Sequence, residues 1–147
     1  MKLSKVEAAA HQRALDLVHS DTTLTYEDRV FVLENFHEGA QHLNAMASAF
    51  FTPNSLAMDF ATNVGGSACR SVVDLCAGTG RLGFAVDWEG RWCDLTCIEI
   101  NPDYVAVGRR VLPHARWICQ SAIDVHALGA RQWDFAISNP PFGRTVK

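Results

Sequence analysis

Short apolar segments alternate with helical segments from residue 71 onward, and no other feature constrains the fold as strongly. Helices are predicted from Arg81 and over 102–112, in gaps between the apolar segments. Strands that alternate with helices indicate a parallel sheet covered on both faces, with ligands bound at the carboxyl ends of the strands. The sequence therefore predicts an α/β fold. The buried strands are predicted over 71–76, 95–100, 116–119 and 135–138.

Residues 1–66 are predicted to form an N-terminal helical segment, ahead of an α/β domain over 67–147. Gly65-Gly66 marks the boundary, because adjacent glycines interrupt regular structure. Helices are predicted to start at a capping box over Ser4 to Glu7, at Thr25 to Asp28, and at Thr52-Pro53, a threonine N-cap followed by proline.

The composition is that of an ordinary globular domain, with 48% hydrophobic and 20% charged residues in a chain of 147. The formal net charge of −3 gives no overall attraction to phosphates, so the charge by itself is an argument against DNA. Contact with nucleic acid would need a local basic patch or a further domain. No apolar run approaches the roughly 20 residues of a membrane span, so no membrane association is expected.

The five cysteines contain no C-x-x-C pair, and the chain begins with charged, helix-like sequence. Both features favour reduced thiols and a cytoplasmic protein. Cys93 and Cys97 form the closest pair, but the second half of a zinc site is lacking. No metal site is predicted.

A glycine-rich loop follows the first predicted strand and precedes a helix. It runs from Asp74 to Gly83 and contains the pattern G-x-G-x-x-G at Gly78, Gly80 and Gly83. Glycines let the backbone approach a ligand, and the helix N-terminus that follows favours negative charge. The pattern is typical of a dinucleotide site, and a tight turn without a ligand is the alternative.

Glu99 ends the second predicted strand, about 20 residues beyond the glycine loop. A carboxylate at this position can accept hydrogen bonds from both ribose hydroxyls, which indicates a nucleoside ligand. A solvated carboxylate at the end of a strand is the alternative interpretation.

The segment from Val73 to Gly80 resembles motif I of the S-adenosylmethionine-dependent methyltransferases, Glu99 resembles their motif II acid, and Asn139-Pro140-Pro141-Phe142 resembles their motif IV. Phe50-Phe51-Thr52-Pro53 resembles motif X, which precedes motif I in amino-methyltransferases such as the modification subunits of restriction systems. That order favours the N6-adenine DNA methyltransferases. The resemblance implies S-adenosylmethionine as cofactor and a Rossmann-like methyltransferase sheet whose first four parallel strands have the order 3-2-1-4. It covers about residues 48–147.

The family's roles are expected at the matching positions. Asp74 would lie near the methionine amino group of the cofactor, while the backbone from Ala77 to Gly80 wraps its methionine part. Asp124 resembles the motif III acid, which accepts a hydrogen bond from the adenine amine of the cofactor, and a surface aspartate capping a turn is the alternative. The cofactor-binding residues implied are Phe51, Thr52, Pro53, Asp74, Ala77, Gly78, Gly80, Glu99, Asp124 and Asn139, with Thr52 and Pro53 at the carboxylate end.

The residues Asn139, Pro140, Pro141 and Phe142 are the predicted catalytic set. The exocyclic amine of adenine is a poor nucleophile because its lone pair is delocalised into the ring. The Asn139 side-chain carbonyl and the Pro140 backbone carbonyl can accept hydrogen bonds from this amine and direct its lone pair towards the methyl group. The prolines would stiffen the turn, and Phe142 would stack on a base flipped out of the duplex.

The predicted activity is methyl transfer to the N6 amine of adenine in DNA. Guanine in RNA and glutamine in protein are alternative acceptors, because related Asn-Pro-Pro motifs also serve them. A noncatalytic cofactor-binding module is a further alternative. A nicotinamide-dependent oxidoreductase would explain the glycines, but it leaves Asn139 to Phe142 without a role.

The complete sheet of this family has seven strands, and this chain ends soon after the fourth. We therefore expect a truncated enzyme that binds cofactor and has lost catalysis. DNA would be bound mostly through missing parts, and restriction-modification subunits are possible partners. The fourth strand would leave an open sheet edge, through which the chain could associate with itself.

Overall fold

The computed structural model describes residues 3–37, 51–64, 70–88, 94–124 and 131–141. Contacts divide the chain into two compact units, one of Met1–Phe50 with Pro141–Lys147 and the other of Phe51–Pro140. The division falls after Phe50, so the helix predicted from Thr52-Pro53 belongs to the second unit.

The first unit contains helices α1, Lys5–His19, and α2, Tyr26–Asn35. Each begins with a complete capping box: the Ser4 hydroxyl accepts from the Glu7 amide and the Thr25 hydroxyl accepts from the Asp28 amide. The Glu7 and Asp28 carboxylates reach back to the Ser4 and Thr25 amides at 2.7 and 3.0 Å. Both predicted helix starts are confirmed, because each box satisfies two amides that the helix leaves free.

One face of each helix forms the core of the first unit. Phe36, the C-cap of α2, is 2% exposed, and its ring lies 5.4 Å from the ring of His11. The His11 Nδ1 atom accepts from the backbone amide of His37 at 3.2 Å. Val6, which fits the apolar spacing of α1, is 79% exposed. The other buried residues of these helices are Ala14, Val18, Val32 and Leu33.

The second unit is a parallel sheet with helices. Its strands run in the spatial order β3-β2-β1-β4, and each neighbouring pair is parallel. The predicted fold class and strand order 3-2-1-4 are confirmed. In chain order the elements are α3, Asn54–Ala61; β1, Ser71–Asp74; α4, Arg81–Trp88; β2, Asp94–Glu99; α5, Pro102–Val111; β3, Arg116–Cys119; and β4, Phe135–Ile137.

The two central strands are buried, as expected for a parallel sheet. Helix α5 approaches β3 so closely that a Cβ atom added at Gly108 would lie 2.1 Å from Cη2 of Trp117. The Trp117 indole N–H donates to the Leu112 carbonyl at 3.3 Å, which fixes the ring over α5. The fully buried side chains of this core include Val72, Cys97, Ile98, Val111 and Leu112.

Strand β4 is held at its start by Asp134. One carboxylate oxygen of Asp134 accepts from the backbone amides of Arg70 and Ser71 at 2.9 and 2.8 Å. These backbone hydrogen bonds lower the pKa of Asp134. They tie the starts of β1 and β4 together, so both strands finish at the same edge of the sheet.

No helix in the described part of the chain has both the length and the apolar content needed to cross a membrane.

Candidate active site

The carboxyl ends of β1, β2 and β4 form one edge of the sheet, and the predicted site residues Asp74, Glu99 and Asn139 lie there. Asp74 pairs with Ile137 across β1 and β4, and the Leu75 amide donates to the Ile137 carbonyl at 3.0 Å. The strand that carries Asp74 and the strand that leads to Asn139 are therefore neighbours, as the predicted site requires.

The glycine loop begins where β1 ends. Gly78 and Gly80 have φ values of 55° and 95°, in the left-handed region that side chains other than glycine rarely adopt. The Ala77 amide donates to the Ile98 carbonyl at 2.9 Å, and the Gly80 amide donates to the Ala77 carbonyl at 2.8 Å. The loop thus folds back onto the end of β2 before α4 begins at Arg81.

Glu99 holds the glycine loop in this conformation. Its Oε2 atom accepts from the Gly78 amide and its Oε1 atom accepts from the Asn101 amide, both at 2.8 Å. The side chain is half-buried. A carboxylate oxygen can accept more than one hydrogen bond, so these two contacts leave acceptor capacity for a ligand hydroxyl.

Asp74 is the most deeply buried carboxyl group of the site, with no exposed surface. Neither of its oxygens has a hydrogen-bond partner at normal geometry within the described residues. Burial raises the pKa of Asp74 to about 7, and the Glu99 carboxylate acts in the same direction. The Cys76 and Gly83 amides favour the charged form and oppose this shift. Burial prevails, so this carboxyl group is poised to ionise near neutral pH.

Phe51 covers the glycine loop. A Cβ atom added at Gly78 would lie 3.3 Å from Cε1 of Phe51, so the ring would have to shift by a few tenths of an ångström to admit it. The Tyr104 ring packs edge-on against Phe51 with the centroids 5.0 Å apart. The Arg81 guanidinium lies 5.3 Å from the centroid of the Phe51 ring, within reach of a cation–π interaction.

Thr52 joins the segment before α3 to the end of β4. The Asn139 side-chain amide donates from Nδ2 to the Thr52 hydroxyl at 3.0 Å. The Thr52 carbonyl accepts from Nη1 of Arg81 at 3.1 Å, and Thr52 is only 7% exposed. The sequence predicted that Thr52 would be the N-cap of α3, and this prediction is wrong. The N-cap of α3 is Pro53, and the Thr52 hydroxyl instead accepts from Asn139.

Cys76 and Ser138 lie beside each other at the ends of β1 and β4. Burial raises the pKa of the Cys76 thiol, while a side-chain hydrogen bond with Ser138 opposes the shift. Cys76 is half-buried and carries no disulfide. Because its thiol is protonated at neutral pH, Cys76 lines the site as an uncharged side chain and does not act as a nucleophile.

Asp124 lies beyond the end of β3, and its exposed carboxylate accepts from Nε2 of Gln120 at 2.8 Å. The Asp124 amide donates to the Ser121 carbonyl at 3.1 Å, as in a turn. Pro53, Pro140 and Pro141 are exposed. Phe142 lies outside the described residues, so its predicted stacking role stays a prediction.

Two residues of the site were not anticipated from the sequence, Arg81 and Tyr104. Arg81 places a positive charge in the first turn of α4, where the helix dipole disfavours it. A cation in that position was the signal that a partner must compensate it. Tyr104 gave no such signal, because an aromatic residue on the apolar face of a helix is ordinary.

Among the described residues, no group of three or more histidine, cysteine, aspartate or glutamate residues could hold a metal ion.

The sheet order, the glycine loop and the acidic residue that ends β2 define the class: a Rossmann-like fold of the methyltransferases. The family described as the methyltransferase small domain matches residues 54–147. The chain belongs to this family. Its membership confirms the predicted methyltransferase class and S-adenosylmethionine as the cofactor.

One curated relative is the release factor glutamine methyltransferase of Salmonella typhimurium, 36% identical over 78 residues. The match covers 50% of this chain and 27% of the relative, so the chain spans only about a quarter of that protein's length. A crystal structure from Pyrococcus horikoshii, described as that of a candidate RNA methyltransferase, is similar in fold, with a TM-score of 0.57 and 21% identity. That likeness covers 80% of this chain and 60% of the other.

Proposed function

We propose that this chain binds S-adenosylmethionine at the glycine loop and belongs to an enzyme that methylates the N6 amine of adenine in DNA. The observation that carries the proposal is the position of Asn139. It follows the strand paired with β1, and its side chain contacts Thr52 of the segment that resembles motif X. A conjugated nitrogen needs acceptors placed beside the methyl donor, and this sheet edge offers them.

The residues present suit the cofactor. Asp74 is a buried carboxyl group whose oxygens have no hydrogen-bond partner at normal geometry among the described residues, and a ligand that brings an ammonium group would supply one. The positive φ values of Gly78 and Gly80 let the backbone approach the methionine part, and Glu99 keeps acceptor capacity for ribose hydroxyls. When bound, the cofactor supplies an electrophilic methyl group on a sulfonium.

The chain's own residues prepare the acceptor. The Asn139 carboxamide oxygen and the Pro140 carbonyl accept hydrogen bonds from an N–H₂ group, which favours pyramidal nitrogen as positive charge develops. No strong base is needed, because the amine loses its proton only after methyl transfer. A rigid turn holds both acceptors in place before the substrate arrives, which reduces the entropic cost of reaction.

A glutamine side chain in a protein is a second candidate acceptor, favoured by the match to the glutamine methyltransferase of Salmonella typhimurium. A carboxamide and an exocyclic adenine amine are both planar nitrogens with delocalised lone pairs, so Asn139 would treat them alike. The position of the Phe51-Thr52-Pro53 segment ahead of the glycine loop supports the DNA acceptor. A cytoplasmic location and restriction-modification partners accompany that proposal.

Two measurements test the proposal. Calorimetry on the full chain is expected to show saturable binding of S-adenosylmethionine, and a folded protein that gives no heat would overturn the cofactor site. In cells that express the full-length enzyme to which the chain belongs, sequencing of methylated bases is expected to find N6-methyladenine at a defined sequence. Methylated glutamine in a release factor, with unmodified DNA, would favour the second acceptor instead.

A further inference from the structure

The contact between Asn139 and Thr52 joins residues that are 87 positions apart in the chain. Asn139 is half-buried and Thr52 is 7% exposed, so water does not compete strongly for the hydrogen bond. The Thr52 hydroxyl is also not used to cap α3, which has no side-chain cap. Among the described residues, the Thr52 hydroxyl therefore serves as an acceptor for Asn139.

Thr52 is itself held by the first residue of α4. The guanidinium of Arg81, the first residue of α4, donates to the Thr52 carbonyl at 3.1 Å. The same guanidinium lies over the Phe51 ring. The position of the Thr52 hydroxyl is thus set by the helix that follows the cofactor loop, so the loop and Asn139 share one hydrogen-bonded chain.

A carboxamide can present either its oxygen or its N–H₂ group on a given side, and the two orientations have opposite chemistry. The amine that accepts the methyl group donates hydrogen bonds, so it needs the carboxamide oxygen as its partner. An N–H₂ group turned towards the amine could not accept those hydrogen bonds. We propose that Thr52 is a positioning residue that accepts from Nδ2 of Asn139 and thereby holds the carboxamide with its oxygen turned away from the Thr52 hydroxyl, in the orientation that an acceptor nitrogen requires. This inference rests on the proposed function for its purpose, although the orientation itself is measurable without substrate.

This role differs from the one implied by the family resemblance, in which Thr52 touches the carboxylate end of the cofactor. A hydroxyl that binds cofactor contributes to cofactor affinity, whereas a hydroxyl that orients Asn139 contributes to the state of the Asn139 amide. The two roles predict different results for the same substitution.

The test uses the full chain and three threonine variants, Thr52→Val, Thr52→Ser and Thr62→Val. Valine keeps the shape of threonine without the hydroxyl, serine keeps the hydroxyl, and the exposed Thr62 hydroxyl donates only locally, to the Asp59 carbonyl. The readout is the pair of side-chain amide proton signals of Asn139 in nitrogen-15 spectra, assigned by its loss in Asn139→Asp. Calorimetry with S-adenosylmethionine follows each variant.

We expect one Asn139 amide proton to exchange with solvent about tenfold more slowly than its partner in the wild type, in Thr52→Ser and in Thr62→Val. In Thr52→Val the slowed proton exchanges about tenfold faster than in the wild type, while affinity for S-adenosylmethionine stays within about threefold of the wild type. If Thr52→Val does not fold, Thr52→Cys replaces it, because a thiol is a weak acceptor.

Unchanged amide exchange in Thr52→Val would overturn the proposal, and a tenfold loss of cofactor affinity beside it would assign Thr52 to the cofactor instead. The proposed function fails separately. If the wild-type chain shows the protected Asn139 amide but binds no S-adenosylmethionine, the orienting role of Thr52 stands and the proposed cofactor site is wrong.

Discussion

Two carboxyl groups, Asp74 and Glu99, lie at the same sheet edge in different hydrogen-bonding environments. Both oxygens of Glu99 accept hydrogen bonds from backbone amides, whereas those of Asp74 are buried with no partner at normal geometry among the described residues. A carboxyl group deprived of water favours its neutral form, and this is the situation of Asp74. The environment of each residue thus sets which kind of ligand group it suits, hydroxyls at Glu99 and a cation at Asp74.

Glu99→Gln is expected to weaken S-adenosylmethionine binding at least tenfold, since hydrogen bonds to charged groups are worth about 1.5–3 kcal/mol. Glutamine has only one acceptor oxygen, so its N–H₂ group would face either the Gly78 or the Asn101 amide. Calorimetry measures the change. Asp103→Asn, an exposed carboxylate in the first turn of α5, is the matched control and should leave the affinity within about twofold.

Binding of S-adenosylmethionine at pH 6 is expected to release up to one proton. In the free protein, burial raises the pKa of Asp74 to about 7, so the carboxyl group is mostly protonated at pH 6. A ligand ammonium beside it lowers that pKa and drives the proton off. Calorimetry in two buffers with different ionisation enthalpies counts the proton, and Asp74→Asn should abolish the buffer dependence. Equal heats in both buffers for the wild type would contradict the role of Asp74.

At the scale of elements, the close approach of α5 to β3 depends on Gly108. A Cβ atom there would lie 2.1 Å from Trp117, whose ring is 9% exposed and tied to the Leu112 carbonyl. Gly108→Ala should therefore lower the free energy of unfolding by about 1–3 kcal/mol, although alanine by itself favours a helix by about 1 kcal/mol. Urea unfolding followed by circular dichroism measures the loss.

The same substitution made together with Trp117→Phe provides the control, because a smaller ring leaves room for the added methyl group. In that background Gly108→Ala should cost less than it does alone. An equal cost in both backgrounds would show that the indole ring is not the obstacle.

The strands could be predicted from the sequence because each is an apolar run, but their ends depend on partners distant in the chain. Strand β1 was predicted to reach Cys76, and it ends at Asp74, where the chain turns into the glycine loop. Thr52 was predicted to cap a helix, and it is instead engaged by Asn139. Local propensity decides which element forms. Contacts across 29 to 87 positions, such as Arg81 with Thr52 and Asn139 with Thr52, decide what its terminal residues do.

At the scale of the whole molecule, each compact unit buries a side chain whose pKa lies near or below neutral pH, His11 in the first and Asp74 in the second, and the two respond to pH in opposite directions. Burial lowers the pKa of His11 in the first unit, whose Nδ1 atom accepts the His37 amide only while the ring is neutral. Burial raises the pKa of Asp74 in the second unit. Neutral forms are favoured in both, but neutrality of a histidine needs high pH and neutrality of a carboxyl group needs low pH.

The sign of each effect follows from linkage between pKa and stability. The folded pKa of His11 lies below its ordinary value of 6.5, so its contribution is present above that value and is lost as the pH falls. The folded pKa of Asp74 lies above its ordinary value of 3.8, so its contribution is lost as the pH rises from there to about 7. Between pH 5 and pH 7 the second unit should therefore lose stability while the first gains it, with at most about 1.4 kcal/mol per pH unit for each proton.

The chain allows the two units to be followed separately, because all four tryptophans, Trp88, Trp92, Trp117 and Trp133, belong to the second unit. The urea midpoint from tryptophan fluorescence should fall from pH 5 to pH 7, and Asp74→Asn should remove that slope, since an amide does not ionise. The midpoint from the ring signals of His11 should rise over the same range. His11→Gln, followed by the ring signals of His19, should show a flatter rise. Parallel shifts of both probes would mean that the units unfold together and that neither buried group governs its own unit.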